Sequence, residues 1–216
     1  MTPQFAKAVD PIFEHVLVLL DRIDAGEGGS VDAEREKDRI IRLFDDAQAK
    51  LGESNEWQLA KYGLVCWIDE VLIAAEWPGG TWWNEYSLES SMYNQRERNE
   101  QFYVWARSAS ELTRRDALEV FYIAVILGFR GFYADPPQRS QLIAAKYQFP
   151  PQLEAWVKRT AEAVKQTGRP PIRTTGKLGP GAPPLKGRST LVAAVLSSAV
   201  LLAVLAILMF QYFEPI

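Results

Sequence analysis

The chain is poor in the residues from which most active sites are built. It has one cysteine, Cys66, and one histidine, His15, in 216 residues. A lone thiol excludes a disulfide framework, a thiolate zinc site and a redox pair within the chain. A lone imidazole beside Glu14, with no co-ligands in view, removes most metal and general-base chemistry. No serine carries a nucleophile motif. Gly176-Lys177 comes nearest to a phosphate loop, but Gly168 stands too far upstream and Leu178 occupies the place of the required Ser/Thr. The sequence therefore offers no support for an enzyme, a cofactor or a metal.

Charge of one sign is missing from whole stretches. Residues 1–167 carry 19 basic and 26 acidic groups, whereas residues 168–189 hold five basic residues (Arg169, Arg173, Lys177, Lys186, Arg188) and no acid. Beyond them only Glu214 is charged. The total of −3 thus hides an acidic body and a basic neck. An acidic body argues against nucleic acid as a partner.

One long apolar run is present. Leu191–Phe210 is twenty residues without a charge, glycine or proline, among them Leu191, Leu196, Leu201, Leu205 and Phe210. As a helix it would rise about 30 Å, the thickness of a bilayer's hydrocarbon core. Its Leu, Ile, Val and Phe residues would contribute about 4–7 kcal/mol to insertion. The five cations before it, against none after it, predict a single-pass span with the body cytoplasmic and the C-terminus pointing outward. Small residues four apart (Ala193/Ser197, Ala194/Ser198, Ala199/Ala203) suit close helix packing, including a homodimer. The neck holds ten of the chain's 27 glycines and prolines and reads as a linker whose cations also suit anionic headgroups. The expected organisation is a body over 1–167, a Gly/Pro-rich basic linker over 168–189, a membrane helix over 190–211 and a short tail over 212–216.

The body reads as all-α, with seven or eight helices. Val9, Phe13, Val16, Leu17, Leu20 and Ile23 recur at helical spacing over Ala6–Asp24. Ser30 or Asp32 caps a second, charged helix running to Leu51, with Ile40, Ile41, Phe44 and Ala47 on its apolar face. Ser54 caps a third, running to about Glu76 and ended by Trp77-Pro78-Gly79-Gly80. Ser87–Tyr93 and Glu100–Leu112 follow. Thr113 is the expected cap of a buried helix through Leu127, closed by Gly128. Pro136–Tyr147 and Pro151–Gln166 each open on a proline suited to a first turn.

Several of these residues form a pattern. It comprises Tyr62-Gly-Leu-Val-Cys-Trp-Ile-Asp69-Glu70, Trp77, Trp82-Trp83, Phe102-Tyr103, Glu119-Val-Phe-Tyr122 and Leu127-Gly128-Phe129-Arg130-Gly131-Phe-Tyr133. It resembles the DotU/IcmH family, called TssL in type VI secretion systems, over residues 5–165 plus the tail anchor. The resemblance implies a hook-shaped helical domain on an inner-membrane scaffold subunit. Its implied partners are an IcmF/TssM-type membrane protein, a TssK-like baseplate protein and, through the complex, a TssJ-type lipoprotein. Two alternatives stay open: a Dot/Icm-type IVB system in which the protein stabilises an IcmF partner, and a membrane-tethered sensor or enzyme. The latter requires a deep pocket around Asp69 and Glu70. This chain has Arg96-Glu97-Arg98-Asn99-Glu100-Gln101 where many relatives have a glycine pair, and the short form without a peptidoglycan-binding domain is expected.

The candidate partner-binding residues are Asp69, Glu70, Trp77, Trp82, Trp83 and Arg130. Adjacent acids on a helix point about 100° apart, so Asp69 and Glu70 cannot form a close dyad. The resemblance suggests an acidic cleft. An ion pair with a neighbour such as Arg130 is the simpler reading, because buried acids need partners. The three tryptophans with Tyr86 form an aromatic group beside a Pro-Gly-Gly loop, read as core or as contact surface. Arg130, between two glycines, is expected to cap the helix before it. Cys66 reads as a small core hydrophobe.

Overall fold

The computed structural model describes residues 1–165. The expected neck and membrane span, with Leu191, Leu196, Leu201, Leu205 and Phe210, lie outside the described residues.

Among the described residues there are nine α-helices and two 3-10 turns. They are α1 (Pro3–Asp24), α2 (Ala33–Leu51), α3 (Asn55–Ala74), α4 (Gly79–Glu85), α5 (Leu88–Tyr93), α6 (Arg98–Glu111), α7 (Asp116–Ile126), α8 (Pro137–Tyr147) and α9 (Leu153–Lys165). The turns are Glu27–Ser30 and Gly131–Ala134. Eight helices fall where the apolar spacing and caps predict them. The all-α expectation holds for the body.

The caps show why the helices begin where they do. Thr2 precedes Pro3 and accepts the Phe5 N–H; Asp32 accepts from Glu34 and Arg35; Ser54 accepts from Trp57. Thr113 does not cap α7. That helix starts at Asp116, and its first two free N–H groups, of Asp116 and Ala117, donate to Glu56 Oε1 of α3 at 2.9 and 3.3 Å. A carboxylate brought in from 60 residues away replaces the local hydroxyl. Asp116 in turn receives the Thr2 N–H and hydroxyl at 2.5 and 2.8 Å, so the starts of α1, α3 and α7 are tied together. At its other end α7 closes as expected, with Gly128 at φ +116°. Phe129 N–H reaches back to Ala124 O and Gly128 N–H to Val125 O, which is a Schellman closure.

Helix α3 is the centre. Twelve of its twenty residues are buried, and it packs against α2, α4, α5, α6 and α7. A helix apolar on every side is a core helix, which explains why its sequence shows so little polar face. Helices α1 and α2 pair as a hairpin, and α1 meets α3 through Phe13 against Trp67, ring centroids 5.0 Å apart. Leu17, expected in the core, stands on the outer side of α1 and is exposed. Helix α9 packs on α7, and α8 packs on the turn Gly131–Ala134. The stretch Asp116–Ala134 is apolar and long enough to cross a membrane by composition, yet half of it is buried inside the body.

The α3–α7 contact depends on Gly63. A Cβ built there would lie 2.8 Å from Cε1 of Phe121, a ring fixed by its edge contact with Phe102 at 4.9 Å. Gly63→Ala is therefore expected to destabilise the body by about 1–2 kcal/mol, because overpacking outweighs the gain in helix propensity. Thermal unfolding of residues 1–165, followed by circular dichroism, checks this; an unchanged or higher midpoint would contradict it.

Candidate functional site: two carboxylates on the central helix

Asp69 and Glu70 occupy successive positions near the C-terminal end of α3, so their side chains leave in different directions. Each meets a separate element and performs the same task there, accepting backbone N–H groups that no helix turn satisfies.

Asp69 is fully buried. Its Oδ1 accepts the Trp83 indole N–H at 2.9 Å and the Leu88 N–H at 2.8 Å; its Oδ2 accepts the Glu89 N–H at 2.8 Å. Leu88 and Glu89 are the first two residues of α5, whose next free N–H, on Ser90, donates to Ser87 Oγ. Asp69 and Ser87 together cap that helix. Burial pushes the Asp69 pKa up, while the three N–H donors and the positive charge of Arg98 pull it back.

Glu70 takes the opposite side. Its carboxylate accepts the Arg130 N–H at 2.6 Å and the Gly131 N–H at 3.0 Å. The expected ion pair with the Arg130 guanidinium is thus replaced by bonds to the backbone of residues 130 and 131. The guanidinium instead donates to Val125 O and Phe129 O at 2.8 and 3.0 Å, capping α7 as the sequence suggests. Arg130 O accepts the Tyr103 hydroxyl at 2.8 Å, so this residue is held at its N–H, its carbonyl and its side chain. Gly131 has φ +53°, and a Cβ there would lie 2.7 Å from Asn99 O, which explains the glycine. Burial raises the Glu70 pKa as well, against the pull of the two N–H groups and of Arg98 and Arg130.

Behind Asp69 lies a second buried acid that sequence reasoning missed. Glu89 Oε1 accepts the Tyr62 hydroxyl at 2.9 Å and the Glu97 N–H at 3.1 Å, and Oε2 faces Arg98 Nη1 at 3.9 Å. Nothing in sequence marks it, since an acid in a helix's first turn is usually solvated. Burial drives the Tyr62 phenol and the Cys66 thiol far up, so neither supplies a nucleophile at neutral pH. Cys66 is a core residue, as its sequence context suggests. His15 is half-buried and bonds Glu36 Oε2 at 2.9 Å rather than its neighbour Glu14. Among the described residues no three His, Cys, Asp or Glu side chains are placed to hold a metal.

The aromatic group divides. The expected Pro-Gly-Gly loop is the start of a helix: α3 stops at Ala74, and Gly79 and Gly80 begin α4. Trp77 is buried with its indole N–H on Leu72 O at 2.8 Å, and Trp83 is buried on Asp69. Trp82 is half-buried, edge-on to Trp83 at 6.3 Å, and packs on Tyr86, four residues on, with centroids 5.1 Å apart. Lys37 of α2 braces the pair. Its ammonium donates to Tyr86 O at 2.6 Å and Ser91 Oγ at 2.5 Å and lies 5.8 Å from the Trp82 ring centre. Tyr86 is 48% exposed. The six candidate residues therefore form no single cleft. Asp69, Trp77 and Trp83 build the interior, Glu70 and Arg130 secure a loop, and Trp82 with Tyr86 is left at the surface.

Asp69→Asn keeps one acceptor oxygen and turns an NH₂ toward the Glu89 N–H, so a loss of about 2–4 kcal/mol in unfolding free energy is expected. Glu70→Gln, at a partly exposed site, is expected to lose less, about 0.5–1.5 kcal/mol. A larger loss at Glu70 than at Asp69 in urea titration would contradict this assignment. The pH dependence carries a second expectation. A carboxyl whose folded pKa is raised contributes stability that is full below about pH 4 and lost as pH rises through the folded value. Replacing Glu70 by Gln removes one such titration, so stability should fall less steeply as pH rises above about 4 in the variant than in the parent.

The sequence matches the family described as type VI secretion system protein DotU over residues 4–213. No curated protein matches it. The fold is similar to the solved cytoplasmic domain of TssL from Acinetobacter baumannii, with a TM-score of 0.58 and 21% sequence identity, covering 74% of this chain and 96% of that one. The chain belongs to the DotU family of type VI secretion system proteins, a structural component of the secretion apparatus and not an enzyme.

Proposed function

We propose that this protein is a tail-anchored inner-membrane scaffold of the secretion system's membrane complex. In this reading residues 190–211 hold it in the membrane, 168–189 are the tether, and the helical body on the cytoplasmic side docks other components. Those components are a TssK-like baseplate protein and an IcmF/TssM-type membrane protein, with a TssJ-type lipoprotein joined through the complex. The observation that carries the docking role is the Trp82–Tyr86 pair. It is a pair of tilted aromatic rings in contact, braced by Lys37, on a helix whose next residue, Trp83, is locked to the buried Asp69. A rigid, partly exposed aromatic pair presents large contact area with little side-chain entropy to lose, as interface anchors do. The internal use of Asp69 supports the same division, with the acid shaping the surface rather than forming it.

The test is a membrane pull-down of the full-length protein from secreting cells, with co-purifying proteins identified by mass spectrometry. Trp82→Ala with Tyr86→Ala is expected to cut recovery of baseplate proteins at least tenfold without moving the body's unfolding midpoint by more than about 2 °C. Undiminished recovery would remove the aromatic pair from the docking surface. A protein that comes down alone would remove the scaffold role itself. Deleting residues 191–210 should release the body into the soluble fraction.

A further inference from the structure

A groove lies between α6 and α9, bordered by residues 148–150 that join α8 to α9, with a volume near 240 Å³. Its floor is aromatic, with Phe149 and the buried Trp156. Two arginines face it, Arg107 from α6 and Arg159 from α9. Arg107 is set in place: its guanidinium lies 4.3 Å from the Phe149 ring centre and donates to Tyr147 O. Neither arginine is in an ion pair among the described residues, although several other arginines of the body have carboxylate partners.

The setting makes this unusual. The body carries 26 acidic groups against 19 basic ones. Three other grooves among the described residues contain acids: Asp32, Glu36 and Asp38 beside the arginines of α2, Glu56 below α1, and Glu154 beside Arg130. The α6–α9 groove is lined by no carboxylate, and its one phenol, Tyr103, is held neutral by burial. Two unpaired guanidinium groups over a low-dielectric aromatic floor favour a planar anion, because the arginine fork matches a carboxylate in two parallel hydrogen bonds. The volume admits one or two side chains rather than a drug-sized ligand.

We infer that this groove is a second docking site, independent of the aromatic pair, which takes an acidic peptide segment of a partner protein. An Asp or Glu of that segment sits between Arg107 and Arg159, and an adjacent apolar side chain rests on Phe149 and Trp156. A bilayer of anionic lipid is the poorer match. The body as a whole is acidic, with 26 acidic groups against 19 basic ones, and is repelled by a flat anionic plane.

The experiment places a photo-crosslinking benzoylphenylalanine at Ser110, on the groove wall, in the full-length protein in secreting cells. The expected product is an adduct with a different protein, mapped by mass spectrometry to a segment containing Asp or Glu. Its yield should fall at least tenfold in Arg107→Glu/Arg159→Glu, and the yield should return when the mapped acid is changed to lysine against Arg159→Glu alone. Arg159 is exposed, so Arg159→Glu should leave the unfolding midpoint within about 2 °C, which separates a lost contact from a lost fold. An adduct with lipid, with a second copy of this chain or with a segment lacking acids would overturn the inference. So would a yield indifferent to charge reversal, or no adduct from cells that still secrete.

Discussion

A carboxylate without access to water must find donors inside the protein, and in this body that requirement organises everything around α3. Asp69 meets it with the first two N–H groups of α5 and the indole of Trp83. An ionised group buried without such partners costs several kcal/mol, so the segment from Trp83 to Glu89 has little freedom to sit elsewhere. Glu70 meets a milder version of the same demand on the other side, through the N–H groups of Arg130 and Gly131. Glu56 meets it at the opposite end of the helix by capping α7. Three acids on one core helix thus accept free backbone N–H groups at three distant places in the chain, replacing the local cap at α7 and adding to Ser87 at α5.

Such remote capping explains which features were legible in the sequence. Helices with a local side-chain cap and apolar residues at helical spacing, α1, α2 and α3, could be read from the sequence. The start of α7 could not. Thr113 is a plausible cap nearby, and the residue that does the work lies 60 positions earlier, where no periodicity points to it. The same holds for α4: Pro78-Gly79-Gly80 resembles a turn, and only the packing of Trp77 and Trp83 makes it the opening of a helix.

The candidate site was legible by residue and not by role. The pattern around Asp69 and Glu70 marked the right helix, and helical geometry alone separated the two acids. Their partners were out of reach because they are backbone groups, which carry no residue identity. Glu89, Lys37 and Arg98 gave no signal either, since a charged residue on a short helix or charged face usually belongs to solvent. Tryptophan was ambiguous for a different reason. Two adjacent ones on a helix point about 100° apart, so one enters the core while its neighbour is only half-buried.

The succession of Asp69 and Glu70 also has a mechanical side. Both are rigidly attached to one helix, one gripping the start of α5 and the other the loop after α7. Turning α3 about its axis would move both grips at once. The aromatic edge near Tyr86 and the loop at Arg130 therefore sit on one crankshaft, whose journals are a single residue apart.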